Sequence, residues 1–104
     1  MRVLVKWEMG LEAGNEAIRS GRIAEFNRSF MERLRPEAAY YGTENGRRTG
    51  YLFCDLADPA QIPVIAEPLF QELCCTVEFI PVMNADDLQR GLAAWASSPA
   101  RHEP

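Results

Sequence analysis

Two segments, Tyr51 to Leu56 and Thr76 to Met83, carry apolar residues on both of their alternating faces. A half-buried antiparallel strand alternates apolar with polar residues, whereas a strand covered on both sides reads as a continuous apolar run. The helical segments suffice to cover one face of a sheet. Cover for the second face has to come from outside the chain, and the expected source is the sheet of a second copy.

At 104 residues, with 47 % hydrophobic and 25 % charged, the chain is expected to form one soluble domain with a single core. Its net charge of -4 argues against a nucleic-acid partner, which would require clustered Lys and Arg. The one tight basic pair, Arg47 and Arg48, reads as solvated strand-end charge beside a turn in preference to the alternative of an anion site. Arg2, Lys6 and Glu8 interrupt the first strand, so it makes no signal-peptide stretch, and no apolar run is long enough to span a membrane. Three cysteines, with Cys74 and Cys75 adjacent, do not make a secreted disulfide framework. A cytoplasmic location is expected, with Cys74 and Cys75 buried as small hydrophobes.

Val3, Val5, Trp7 and Met9 alternate with Arg2, Leu4, Lys6 and Glu8 in a first strand that ends before Gly10 and Gly14. A helix is expected from Asn15 as cap, with a kink or boundary at Ser20-Gly21. Ile23, Phe26, Phe30 and Leu34 then share one helix face up to Pro36. Two β-rich runs, Ala38 to Thr43 and Thr49 to Leu56, flank Glu44-Asn45-Gly46-Arg47, a tight hairpin signal. Asp58, Pro59 and Gln61 resemble a capping box opening a second helical region. Pro63 and Pro68 are expected to break or kink it, with Ile62, Ile65, Leu69 and Phe70 near one side. Pro81 places the last strand, Cys75 to Met83, at a sheet edge or puts that residue near its end. Asn84 caps a final helix with an apolar stripe of Leu88, Leu92 and Trp95, and residues 98–104 form a flexible tail.

The fold class is therefore α+β. The order predicts a ferredoxin-like βαββαβ domain over residues 1–97, with an antiparallel four-stranded sheet and an added C-terminal helix. The strand ending in Trp7, Pro36 to Tyr41, the turn Glu44 to Arg47, Ile62 to Pro68 and Val77 to Met83 together resemble small bacterial proteins of the dimeric α/β barrel superfamily. The resemblance covers about residues 1–95 and implies that two ferredoxin-like sheets face each other across a two-fold axis. That superfamily includes antibiotic-biosynthesis-type monooxygenases, muconolactone isomerases, haem-binding chlorite dismutases and stress-responsive barrels, so the likeness carries fold rather than reaction.

Those haem enzymes use a histidine ligand, and the only histidine here, His102, lies in the tail, so no haem or other cofactor is expected. No metal site is expected either: His102 stands alone, and Asp55, Asp58, Asp86 and Asp87 read as strand-end and cap residues. Candidate cavity-lining residues are Lys6 and Glu78, on strands that the split βαβ order makes neighbours, with Tyr41 and Tyr51. A buried Lys6–Glu78 pair would serve as acid and base, or as an ion pair fixing dimer register. Two functions follow. The first is a homodimeric binding or structural module, with a small apolar molecule as a further partner. The alternative is a cofactor-independent monooxygenase- or isomerase-like enzyme acting on a small hydrophobic oxygenated molecule. Which tyrosine faces the cavity depends on register, because a one-residue slip exchanges Tyr40 for Tyr41.

Overall fold

Alternation along the first strand sets the architecture. In the computed structural model, which describes residues 1–99, β1 (Arg2–Met9) buries Val3, Val5, Trp7 and Met9 and leaves Arg2, Leu4, Lys6 and Glu8 half-buried. It lies between β3 (Arg47–Asp55) and β4 (Cys75–Pro81), with β2 (Ala38–Glu44) outside β3. All pairings are antiparallel, in the order β2-β3-β1-β4, which is compatible with the ferredoxin-like arrangement. Directly opposed residues share a face, so Val5 lies with Leu52 and Phe79, and Lys6 with Tyr51 and Glu78.

Helices α1 (Leu11–Arg19), α2 (Arg22–Leu34) and α3 (Gln61–Leu73) cover the Val5 face. Phe26 and Phe30 of α2 and Ile65, Leu69 and Leu73 of α3 join Val3, Val5, Trp7 and Leu52 in one core. Helix α1 starts at Leu11, four residues before the expected cap. Gly10 takes the extended cap conformation, and its carbonyl accepts the Gly14 N–H at 2.8 Å. Asn15 is therefore inside the helix, where its side chain is free to reach another element. Gly21, at φ +77°, supplies the left-handed residue that separates α1 from α2 at the expected boundary.

Asn45 and Gly46 both have positive φ, as a two-residue primed turn requires, and Glu44 opposes Arg47 across it. Asp58 and Gln61 brace the entry to α3: Asp58 Oδ1 accepts the Ala60 N–H, and Gln61 Oε1 accepts those of Ala57 and Asp58. The expected break at the prolines is absent, and α3 runs through both. Pro63 falls in the first turn, where N–H groups have no intrahelical acceptor, and Val64, four residues before Pro68, is exposed, so its carbonyl can turn to water. The buried side of α3 is Ile65, Ala66, Leu69 and Leu73, while Ile62 and Phe70 are exposed.

Cys75 is buried, and burial pushes its thiol up to about 12. Cys74, expected to be buried, is exposed instead, because the chain leaves α3 through it in the left-handed conformation at φ +53°. Strand β4 is a sheet edge, and Pro81 is its last residue. Asn84 and Asp87 form a reciprocal capping box at the start of α4 (Ala85–Ala96). No residue of α4 is buried, and Leu88, Leu92 and Trp95 are all exposed. A compact chain of this length has a radius of gyration near 13 Å. The observed value is 17.4 Å, with a longest extent of 58 Å, because α4 projects from the body. His102, the histidine set aside as a ligand, lies outside the described residues.

Candidate functional site

The face of the sheet turned away from α1–α3 carries Leu4, Ala38, Tyr51 and Phe53, all half-buried, with Tyr40 and Ile80 more exposed. Leu4 lies between Phe53 and Ile80, so this face has an apolar centre. A charged cluster adjoins it. Lys6 Nζ stands 3.0 Å from Glu44 Oε2 and 3.9 Å from Glu78 Oε1. The Glu44 oxygen is shut off from solvent, and the Lys6 side chain is only 20 % exposed.

Lys6, Glu44 and Tyr51 are each held in their ordinary charge state. The hydrogen bond to Glu44 raises the Lys6 pKa, and the same bond, with help from Tyr51, lowers that of Glu44. Burial, and then Glu44, raise the Tyr51 phenol. Every shift leads away from neutrality. A group that exchanges protons at neutral pH needs the opposite tuning, so the cluster is suited to holding fixed charge and fixing geometry.

Of the residues predicted to line one cavity, Lys6, Glu78 and Tyr51 stand together on this face. Tyr41 does not join them: it opposes Gly50 on the helix-side face, and its neighbour Tyr40 opposes Tyr51 on the Lys6 face. Glu44, the closest partner of Lys6, was missed because it approaches from beyond β3, the strand between β1 and β2. Its signal was available in the hairpin register, which returns Glu44 toward the strand that pairs with β1.

A second recess lies on the helix side. Helices α1–α3 pack over β1, β3 and β4, and the helix-side surface of β2 is left open at the sheet edge. There a cavity of about 240 Å³ is walled by Trp7, Tyr41, Ile18 and Ile23, with Asn27, Arg48 and Thr49 among its polar lining. The Trp7 ring meets Phe30 edge-on at 6.1 Å and Tyr41 at 6.4 Å. Burial raises the Tyr41 phenol. Arg48, expected to be solvated strand-end charge, is half-buried here and donates from Nη2 to Asn15 Oδ1 at 2.9 Å. Alternation sends Arg47 and Arg48 to opposite faces, which is why adjacent arginines have different surroundings.

Comparison with known proteins adds no relative: no family model matches the chain, and neither a curated protein nor a solved structure matches it.

Proposed function

We propose that this chain works as a homodimeric binding or structural module in which the two uncovered sheet faces meet about a two-fold axis, as in dimeric α/β barrels. The observation that carries this reading is the face itself: Leu4, Phe53, Tyr51 and Ile80 form an apolar centre that no helix among the described residues covers. Lys6 compensates one of its two neighbouring carboxylates within the chain, so the margin of the face keeps negative charge and the apolar centre has to drive the association. A face of this kind is self-complementary, as an isologous interface requires.

Area decides what else takes part. Eight residues at ~3.3 Å by four strands at ~4.8 Å give roughly 500 Å² per copy, or about 1,000 Å² in total. Stable dimers bury about 1,200–2,000 Å². In the dimer α4 supplies the remainder by folding its Leu88–Leu92–Trp95 stripe against the partner. Free thiols at Cys54, Cys74 and Cys75 fit a reducing cytoplasm, and no helix among the described residues is long and apolar enough to cross a membrane. The space between the sheets is the place for a small apolar molecule.

Substituting Phe53→Glu at the centre of this face tests the reading by size-exclusion chromatography with light scattering. The wild type is expected to elute as a dimer and the variant as a folded monomer with an unchanged circular dichroism spectrum. Identical oligomeric states would refute the interface.

A further inference from the structure

The helix-side recess is built differently from a packing defect. Two glycines keep it open for specific side chains. A Cβ at Gly14 would lie 2.7 Å from Arg48 Nη1 and 3.2 Å from Met9 Sδ, so a side chain at position 14 would push the guanidinium aside. A Cβ at Gly50 would lie 2.2 Å from Trp7 Cζ2, so the indole lies flat on β3 only because position 50 lacks one too. The consequence is a nearly covered indole at the floor of the recess and the exposed Tyr41 ring beside it, next to a cation.

That cation has no anion among the described residues. Arg2 is paired with Glu37 and Lys6 with Glu44, whereas Arg48 bonds the neutral Asn15 carbonyl, with no carboxylate in salt-bridge range among the described residues. A half-buried guanidinium with donors to spare is a carboxylate receptor, because its planar fork matches the two oxygens. Size narrows the class further. An apolar cavity of about 150 Å³ accommodates benzene, and the recess, at about 240 Å³, has room for a ring plus a short acidic group.

We propose that the recess binds a small aromatic carboxylate, with the ring against Trp7, Tyr41 and Ile23, the carboxylate on Arg48, and the Asn27 amide beside it. The site lies on the face opposite the proposed dimer interface, so either stands if the other fails. The exposed Tyr41 ring, with Ile23 and the covered Trp7, sets selectivity for flat molecules, and Arg48 sets selectivity for anions.

The test is a titration with 2-naphthoate followed by amide and indole N–H resonances, with neutral 2-naphthamide as the matched control. Saturable shifts are expected at Trp7, Asn27 and Gly50. Naphthamide is expected to bind about tenfold more weakly or worse, the worth of a charge-assisted hydrogen bond. Arg48→Met is expected to lose naphthoate affinity by about the same factor while leaving naphthamide unchanged. Gly14→Ala, which displaces the guanidinium without removing it, provides a second variant and should also weaken naphthoate selectively. Equal affinity for the acid and the amide, retention of naphthoate affinity in both variants, or an absence of saturable shifts at the recess would each overturn the assignment.

Discussion

Replacing Gly50 by alanine tests the packing that shapes the helix side of the sheet. The added methyl would fall 2.2 Å from Trp7 Cζ2, 2.3 Å from Cε2 and 2.7 Å from Cη2, well inside any real contact. The obstacle is the body of a ring, not the end of a flexible chain. Trp7 is 3 % exposed and held edge-on by Phe30, so the indole can relieve the clash only by giving up that contact. Overpacking of this kind costs about 1–3 kcal/mol, and the lost aromatic pair about 0.5–1.5 kcal/mol. Replacing glycine within a strand returns about 0.5–1 kcal/mol. The net expectation is destabilisation by about 2 kcal/mol, which lowers Tm by roughly 8–16 °C in a domain of this size.

Thermal and urea unfolding at one fixed protein concentration measures the effect, with Gly42→Ala as the control. At Gly42 the nearest atom to an added Cβ is Tyr51 Cε2 at 3.8 Å, an ordinary contact, so that variant should stay within about 0.5 kcal/mol of wild type. Trp7→Leu removes the obstacle. Gly50→Ala should therefore cost less in the Trp7→Leu background by about 1 kcal/mol or more, the coupling expected of residues in direct contact. A Gly50→Ala variant as stable as wild type, or one whose cost is unchanged by Trp7→Leu, would refute this account of the recess wall.

Other consequences can be checked independently. Glu44 has a folded pKa below its usual 4.5 because of Lys6, so the pair stabilises the fold above that pH, and the contribution is lost as pH falls through the folded value. Lys6→Met should flatten the acid limb of stability below about pH 4.5, read by urea midpoints across that range, although Glu37, lowered by Arg2, keeps some slope. A thiol reagent should modify Cys74 alone in the native protein, with Cys54 and Cys75 reacting only on unfolding, because both are buried with raised pKa values. Cys74→Gly should stabilise the chain by about 0.5–1 kcal/mol in the same urea assay by relieving a left-handed non-glycine residue at a helix C-terminus.

The features legible in the sequence were those governed by local rules. Alternation from Val3 to Met9 identified the buried face of β1, Asn45-Gly46 located the hairpin, and Asn84 with Asp87 marked the start of α4. Misreadings came where tertiary space decided the outcome. Gly14, read with Gly10 as marking the end of the first strand, sits inside α1 instead, with the Arg48 guanidinium next to it where a side chain would otherwise lie. Pro68 reads as an interruption, but the surrounding residues Ile65, Leu69 and Leu73 anchor α3 to the core through it. Tyr40 and Tyr41 are adjacent and chemically alike, so nothing local sets which of them faces the helices. The register with β3 sets it. Arg48 was the largest misreading, taken with Arg47 as solvated strand-end charge in preference to an anion site, whereas it is half-buried and bonded to Asn15. A cation next to another cation beside a turn gives no hint that one of them will lean over an aromatic recess.

Association of the two sheet faces is the central claim, and native mass spectrometry of the intact protein tests it most directly. At micromolar concentration the spectrum is expected to show a species of twice the 11.7 kDa chain mass, and Phe53→Glu should return it to the single-chain mass. A wild-type protein found only at the single-chain mass under the same conditions would contradict the paired-sheet account.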